Sequence, residues 1–396
     1  MSWTAKRLDQ LGTVSRGRSR HRPRDAAHLH GGSHPFIQTG DVKHAGLYIN
    51  SFTQTYTEAG LAQSKLWPTG TLCITIAANI ADTAILGIDA CFPDSVIGFI
   101  ADPQKADARF VKYLFDATIK IRAQQFSQGA TQDNLSQEKL LSLEFEIPEV
   151  EEQKRIADIL SSYDDLIDNN RRRMALLEDS ARQLYREWFV RLRFPGHEHT
   201  PIVDGVPQGW ERKTLGDLCL EVRDMVLPEA LEPNTPYIGL EHIPRRSISL
   251  NNWGTVEEVT SSKCRFKTGE IIFGKIRPYF HKVGVAFVDG VTSSDAIVVR
   301  PADETLHGLV LMTMSSDEFV AVTSQQMKEG SKMPRADWKQ MKAFSLPVPP
   351  PGLLKSFDDL IQPTVEQLRS LSFANQKLRQ ARDLLLPRLM NGELAV

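Results

Sequence analysis

Apolar residues recur in alternating steps of three and four along two stretches of the chain, and each stretch predicts a long helix. The first helix is predicted at residues 151–192 and the second at residues 352–396. A mean period of 3.5 is typical of the seam of a coiled coil. The predicted seam residues are Ile156, Leu160, Tyr163, Ile167, Asn170, Leu177 and Leu184 in the first helix, and Phe357, Ile361, Leu368, Leu371, Leu378 and Leu385 in the second.

Polar residues and prolines interrupt these seams at a few positions. Asn170 lies within the first seam, where a single asparagine commonly fixes the register of a coiled coil. Arg382 interrupts the second seam, so we expect a flaw there. Pro363 should kink the second helix, and Pro387 should help to end it. Two helices of similar length in one chain most economically pair with each other, and we expect them to run antiparallel.

Short apolar runs typical of strands precede each long helix. Thr71–Ile76 and Ser95–Ile100 are examples in the first half, and Gly269–Ile276 and Ala296–Val299 are examples in the second. A helical pattern follows the strands at Ala108–Gln125, which indicates an α+β fold. We therefore expect α+β domains at residues 1–150 and 211–351, and a linker at residues 193–210 that is rich in proline and glycine.

The two halves also repeat each other. Gly70-Thr-Leu-Cys-Ile corresponds to Gly269-Glu-Ile-Ile-Phe, and Phe145-Glu-Ile-Pro148 corresponds to Phe344-Ser-Leu-Pro347, about 200 residues later in each case. The fold class that follows is α+β, with two similar domains, a pseudo-twofold repeat and two long helices in an antiparallel intramolecular coiled coil. Two similar domains at a fixed separation suit the reading of duplex DNA at two sites.

Composition narrows the class of protein. The 396 residues include 41% hydrophobic and 24% charged residues, which is ordinary for a soluble globular protein of more than one domain. We expect no membrane span, because no apolar run reaches about 18 residues, and no signal peptide, because the N-terminal residues lack an apolar core. The four cysteines are far apart, which favours buried thiols in the cytoplasm over a disulfide framework or a zinc site.

The formal net charge of −2 does not exclude DNA binding, because the distribution of charge decides. Arginine alternates with other residues from Arg16 to Arg24, and arginine can contact both phosphates and guanine edges. A solvated loop is the alternative for this segment. The candidate DNA contacts are Arg16, Arg18, Arg20, Arg22, Gln38, Thr39, Lys65, Gln128, Thr131 and Gln132 in the first domain, and Arg245, Arg246, Lys275, Arg277, Tyr279, Lys332 and Arg335 in the second.

Three other patterns point to chemistry but do not meet its requirements. The run from Gly269 to Ile276 resembles a P-loop, yet isoleucine stands where serine or threonine must bind Mg²⁺. Asp94 with Glu152-Gln-Lys154 resembles a metal-dependent nuclease pattern. However, Glu152 and Lys154 belong to the predicted start of the first long helix. The scattered histidines lack a fixed ligand geometry. We therefore predict no catalytic residues, no metal and no cofactor in this chain.

Several segments, in the order in which they occur along the chain, resemble the specificity subunits of type I restriction–modification systems. The resemblance covers essentially the whole chain. The segments include Glu152-Gln-Lys-Arg-Ile-Ala-Asp-Ile-Leu160, Leu184-Tyr-Arg-Glu-Trp-Phe-Val190, Gly330-Ser-Lys-Met-Pro-Arg335 and Arg382-Asp-Leu-Leu-Leu-Pro-Arg-Leu-Met-Asn-Gly392. The resemblance implies that each domain recognises one half of an asymmetric, bipartite DNA target. It also implies that the helices set the spacer and dock two methyltransferase subunits.

Restriction subunits would join the same complex, and these partners would use S-adenosylmethionine, ATP and Mg²⁺. Two alternatives stay open beside this non-catalytic role. One is an assembly scaffold that uses its coiled coil without sequence-specific DNA binding. The other is a self-contained, metal-dependent nuclease.

Overall fold

The computed structural model describes residues 3–77, 80–127, 136–258, 260–325 and 334–396. The chain forms two compact units. Unit 1 comprises Met1–Asn169 and Gln376–Val396, and unit 2 comprises Asn170–Asn375. Both boundaries between the units therefore lie inside the two long helices.

Unit 1 contains strands and small helices, the first part of the first long helix and the last part of the second. Its strands are β1 (Thr4–Arg7), β2 (Gly12–Arg16), β3 (His30–Phe36), β4 (Tyr48–Ile49), β5 (Gln54–Tyr56), β6 (Leu66–Trp67), β7 (Leu72–Thr75), β8 (Thr83–Leu86), β9 (Ala90–Cys91), β10 (Val96–Ala101) and β11 (Glu144–Ile147). Its helices are α1 (Leu8–Leu11), α2 (Thr39–His44), α3 (Glu58–Ala62), α4 (Ala108–Ser127), α5 (Gln137–Ser142) and the first part of α6 (Val150–Tyr185).

The central sheet of unit 1 has the strand order β2-β10-β7-β8-β4. Every residue of β7 and β8 is buried, which explains why these strands are apolar runs without polar alternation. Phe99 lies opposite Leu72 in the antiparallel register of β10 and β7. A second sheet has the order β5-β3-β9-β6, and β1 pairs with β11 separately.

Unit 2 contains the remaining strands and the start of the second long helix. Its strands are β12 (Ile202–Val203), β13 (Val206–Pro207), β14 (Glu211–Thr214), β15 (Cys219–Val222), β16 (Met225–Val226), β17 (Pro236–Ile238), β18 (Ser249–Leu250), β19 (Gly254–Thr255), β20 (Lys263–Phe266), β21 (Ile271–Gly274), β22 (Val283–Ala286), β23 (Gly290–Thr292), β24 (Ala296–Pro301) and β25 (Ser345–Val348). Its helices are α7 (Leu215–Leu218), α8 (His307–Met314), α9 (Asp317–Gln325), α10 (Trp338–Met341) and the first part of α11 (Pro351–Met390).

The predicted repeat is confirmed by the topology of the two units. The central sheet of unit 2 has the order β15-β24-β21-β22-β18, which matches that of unit 1 strand by strand, and β14 pairs with β25 as β1 pairs with β11. The turns that precede β7 in unit 1 and β21 in unit 2 also match. Thr69 donates its backbone N–H to the Asp89 carboxylate at 2.7 Å, and Thr268 donates to Asp289 at the same distance.

The long helices run antiparallel within each unit. In unit 1, Ile156 and Leu160 near the start of α6 share a core with Leu389 near the end of α11. In unit 2, Trp188 follows α6 in a turn of π-helix, and its ring centroid lies 5.5 Å from that of Phe357 near the start of α11. The predicted antiparallel intramolecular pairing is thus confirmed.

The helix α11 continues through Pro363 and Pro387. Pro363 does not end the helix, and α11 ends at Met390, three residues beyond Pro387. Each proline removes one backbone donor, and the packing of the apolar face against unit 1 or unit 2 outweighs that loss.

Arg382 is not a flaw in the seam, because it has a buried partner on the other helix. Its guanidinium pairs with Asp164, whose side chain is only 6% exposed. The Tyr113 hydroxyl donates to the same carboxylate at 2.6 Å. The expectation of a defect at Arg382 was wrong, because an arginine on one helix can be matched by an aspartate on the other.

The four cysteines are free and buried, which confirms the prediction of buried thiols. Burial raises the pKa of Cys219 to about 12, so this thiol stays protonated and packs as a small apolar group. Within the described residues, no helix is long and apolar enough to cross a membrane.

Candidate nucleic-acid interface

The arginine-rich segment of unit 1 follows β2 and is held by several hydrogen bonds. Arg16 Nε donates to the Asp94 carbonyl at 3.1 Å, and Arg18 Nε donates to the Ser64 carbonyl at 2.8 Å. Arg22 donates to the Ser19 carbonyl at 2.7 Å. These contacts use neutral acceptors, so the positive charges are not cancelled by them.

Other arginines of this segment differ in their charge balance. Arg20 is exposed, and its backbone N–H donates to Gln63 Oε1 at 2.6 Å. Arg24 instead pairs with both carboxylate oxygens of Asp94, at 2.8 and 2.9 Å. Asp94 therefore neutralises the last arginine and leaves the preceding ones as the cationic part of the segment.

Three further candidates of unit 1 lie in packed positions. Lys65 Nζ lies 3.6 Å from the centroid of the Trp67 ring, which is a cation–π contact that retains the charge. Gln38 precedes α2 as its N-cap, and Thr39 is its first residue. The backbone N–H of Gln38 donates to Asp41 at 2.8 Å, so this helix start is capped from within.

In unit 2, two of the predicted cationic residues converge on one aromatic ring. The Arg245 guanidinium carbon lies 4.0 Å from the centroid of Phe280, and that of Arg277 lies 5.8 Å from the same centroid. Tyr279 is 51% exposed and packs edge-to-face against Phe280. We call Arg245, Arg277, Tyr279 and Phe280 the arginine–aromatic surface.

A cation–π contact orients a guanidinium without neutralising it, so this surface keeps its positive charge. Two neighbouring candidates are neutralised instead. Arg246 pairs with Asp317 at 2.8 Å, and Arg335 pairs with Asp295 at 3.1 Å. Lys275 donates to the Ser294 carbonyl at 3.0 Å. Because that acceptor is neutral, Lys275 keeps its charge, and Arg245, Lys275 and Arg277 are therefore better placed than Arg246 and Arg335 to meet a phosphate or a base edge.

The backbone of this region is unusual. Arg246, Arg277 and His281 all have positive φ, at 56°, 51° and 55°. Non-glycine residues rarely adopt this conformation, and such residues cluster at functional sites. Hydrogen bonds hold it in place: Arg246 N–H donates to the His281 carbonyl at 2.9 Å, and Arg277 N–H donates to the Pro334 carbonyl at 2.9 Å.

Phe280 was not among the predicted contacts, although it directly follows the predicted contact Tyr279. Lys282 is turned inward, because its ammonium donates to the Leu240 carbonyl at 2.5 Å and burial lowers its pKa. The available signal was the mixture of basic and aromatic residues from Lys275 to Lys282. The predicted contacts Gln128, Thr131, Gln132 and Lys332 lie outside the described residues.

The predicted seam residues lie on the faces of α6 and α11 that pack against the hydrophobic cores. Ile156, Leu160, Ile167, Phe357, Ile361 and Leu368 are buried, whereas Tyr163, Leu177, Leu184, Leu371, Leu378 and Leu385 are half-buried. In α6, the neighbouring Asp164, Glu178 and Tyr185 are buried. Each helix packs against a sheet-bearing domain as well as against its partner helix, so the buried stripe is wider than one seam.

Asn170 of α6 has its counterpart in α11. Its amide nitrogen donates to Asn375 Oδ1 at 2.9 Å, and Asn375 is 3% exposed. This hydrogen bond forms only when the two helices pair in one register, and in another register the buried Asn375 amide would lose its partner. The pairing gives a physical basis for the predicted role of Asn170.

The residues of the nuclease-like pattern have other partners. Asp94 pairs with Arg24, and Lys154 pairs with Glu151 of the same helix at 2.7 Å. In the part of the chain that the structure describes, no group of three or more histidine, cysteine, aspartate or glutamate side chains could hold a metal ion.

Comparison with known proteins gives consistent matches. Residues 1–179 match the family model of the type I restriction modification DNA specificity domain. The chain is similar to the type I restriction enzyme MjaIX specificity subunit of Methanocaldococcus jannaschii, with 24% identity over 412 residues that cover 100% of this chain and 94% of the relative. It is also similar to the EcoDI specificity subunit of Escherichia coli, with 22% identity covering 73% of this chain and 70% of that one.

One solved structure has a similar fold. The S subunit of a type I restriction–modification system from M. genitalium superposes with a TM-score of 0.61 and 16% identity, covering 98% of this chain and 96% of that chain. At this identity the likeness concerns the fold alone.

Proposed function

We propose that the chain belongs to the family of type I restriction–modification specificity subunits and is the non-catalytic DNA-recognition subunit of such a complex. Each unit would bind one half of a bipartite, asymmetric DNA target. The catalytic steps, adenine methylation and ATP-dependent cleavage, would belong to partner subunits that use S-adenosylmethionine, ATP and Mg²⁺.

The observation that carries this proposal is that two units of matching topology present different cationic surfaces. In unit 1 the arginines follow β2. After β15, the equivalent strand of unit 2, Arg223 instead pairs with Glu221 at 2.6 Å. The positive charge of unit 2 lies on the arginine–aromatic surface. Because the two units offer different side chains, we expect them to read different base sequences.

The long helices support the role of a ruler between the half-sites. The 36 residues of α6 and the 40 residues of α11 each contribute to both units. A continuous helix extends by about 1.5 Å per residue, so the number of residues fixes its length. An insertion or deletion would therefore change that length. We propose that this length sets the number of unspecified base pairs.

Exposed leucines on the long helices support the docking of partner subunits. In unit 1, Leu166 of α6 is 51% exposed and Leu384 of α11 is 72% exposed. In unit 2, Leu176 of α6 is 68% exposed and Leu360 of α11 is 50% exposed. Leucine on the outer face of a helix is a suitable anchor for another protein. Each unit thus has an exposed leucine on both long helices, which is in keeping with one methyltransferase copy for each unit.

Binding by the assembled complex tests the proposal. The complex of this chain with its methyltransferase partner would be titrated with duplexes that contain both half-sites, either half-site alone, or neither. We expect tighter binding when both half-sites are present, and binding that weakens steeply as salt rises, because phosphate contacts release counterions. Equal binding to all duplexes would favour the assembly scaffold. Cleavage of DNA by the purified chain with Mg²⁺ alone would favour the nuclease.

A further inference from the structure

Glu178 is a buried carboxylate that joins the long helix α6 to the start of β18, the edge strand of the central sheet of unit 2. The residue is 5% exposed. Its Oε1 accepts hydrogen bonds from the hydroxyls of Ser247 and Ser249, at 2.7 and 2.6 Å. Its Oε2 accepts from Arg182, one turn later in α6, at 2.9 Å. A buried carboxylate is stable only with such partners, so this contact has one preferred geometry.

Arg182 adds a second connection between the same two elements. It also donates to the backbone carbonyl of Arg246 at 2.6 Å. Arg246 is one of the residues with positive φ, and a residue in that conformation needs its surroundings to hold it. Together, Glu178 and Arg182 fix the backbone from residue 246 to Ser249, where β18 begins.

The segment that they fix leads directly into the arginine–aromatic surface. Arg245 precedes the held backbone by one residue, and its guanidinium stacks on Phe280. Arg246 N–H donates to the carbonyl of His281, which follows Phe280. A change in the contact from α6 would therefore move both sides of the stacked pair.

We propose that Glu178 and Arg182 are positioning residues for DNA recognition by unit 2, acting from the long helix without touching DNA. The inference rests on the proposed function. Through this contact, the same helix that would set the spacer also holds the arginines that would read one half-site. Recognition of that half-site would then depend on side chains outside the recognition surface.

Glu178→Gln tests the inference, with Asp179→Asn as its matched control. Both substitutions remove one negative charge from adjacent positions of α6. Asp179 is exposed and accepts from Gln183 of the same helix, so its loss leaves the segment before β18 unchanged. The variants would be assembled with the methyltransferase partner and titrated with duplexes in which neither, the first or the second half-site is scrambled.

We expect Glu178→Gln to weaken binding to the intact target about tenfold, because a charge-assisted buried contact is lost. Discrimination should fall at one half-site only, the one that Arg277→Ala also weakens, and Asp179→Asn should match the wild type. Arg182→Lys keeps the positive charge on a side chain that is one atom shorter, so its ammonium falls short of the two acceptors that Arg182 Nη2 contacts, Glu178 and the Arg246 carbonyl. It should reduce the same discrimination, and it guards against the possibility that Glu178→Gln fails to fold.

The outcomes separate the two claims. If the wild-type complex discriminates but Glu178→Gln and Arg182→Lys behave like Asp179→Asn, the positioning role is overturned and the proposed function stands. Equal loss at both half-sites also overturns it, since that is the result of a general loss of stability. A wild-type complex that does not discriminate between the duplexes overturns the proposed function, and the inference with it.

Discussion

Replacing Arg382 by leucine would leave a buried aspartate without its cationic partner. Asp164 is held between the helices of unit 1 with its side chain 6% exposed, and Tyr113 would remain its hydrogen-bond donor. Breaking a buried ion pair from one side costs about 3–5 kcal/mol. The Arg382 side chain is 24% exposed, so water screens part of the interaction and the lower end, about 3 kcal/mol, is expected.

Two comparison variants isolate the buried charge. Arg388→Leu removes an arginine from the same helix, but its partner Glu393 lies 3.6 Å away and both side chains are more than half exposed. That loss should be no more than about 1 kcal/mol. The double variant of Asp164→Leu with Arg382→Leu removes both charges and leaves the Tyr113 hydroxyl to be satisfied. It should cost about 1–2 kcal/mol, less than Arg382→Leu alone.

Native-state hydrogen exchange, measured by mass spectrometry, follows unit 1 without interference from unit 2. Peptides from α4 and from residues 150–169 report the free energy of opening of the core that holds Asp164. The expected order of destabilisation is Arg382→Leu, then the double variant, then Arg388→Leu. Equal protection in Arg382→Leu and Arg388→Leu would refute the reasoning, because the buried pair would then contribute no more than a surface pair.

Four further predictions follow from the helices, the cationic segment and a buried histidine. Asn170→Leu should destabilise unit 2 by about 1–3 kcal/mol in urea unfolding, because the buried Asn375 amide loses its partner; adding Asn375→Leu should recover most of the loss, and no recovery would contradict the pairing. Replacing Arg18 and Arg20 together by alanine should relax the reading of one half-site in duplex binding, and equal loss at both would contradict independent units. Deleting about one heptad from each long helix should change the spacer of the methylated motif and leave its half-sites intact, whereas altered half-sites would refute the ruler. Unit 2 should lose stability below about pH 6.5, because burial lowers the pKa of His307 and protons therefore bind the unfolded chain more tightly. This contribution to stability is fully present above the pKa of the histidine in the unfolded chain, and it is lost as the pH falls through the lowered pKa of the folded chain. His307→Gln should flatten this dependence in unfolding measured from pH 7 to pH 5, and an unchanged slope would contradict it.

Periodicity made the long helices and the repeat predictable. Apolar steps of three and four persist over many turns, and only a helix places such residues on one face. The central strands were also readable where they are buried on both faces, as in Leu72–Thr75 and Ile271–Gly274. Strands of two or three residues such as β4 and β17 were not predicted, because they are too short to show a period.

The partners of polar residues in the helices could not be predicted from the sequence. Arg382 was taken as a defect because its partner, Asp164, is more than 200 residues away in the chain. Glu178 was passed over for the same reason, since Ser247 and Ser249 lie in another element. The arginine–aromatic surface likewise depends on two separate loops meeting at Phe280. Pairwise contacts of this kind leave no periodic trace in the sequence.

Mapping of N6-methyladenine across the genome of a methylation-free host tests the central claim most directly. The host would express this chain with its methyltransferase partner, and a matched host would express the methyltransferase alone. A single gapped, bipartite and asymmetric motif that is methylated only when this chain is present is the predicted result. No new motif, from a complex shown to assemble, would contradict DNA recognition and favour the scaffold.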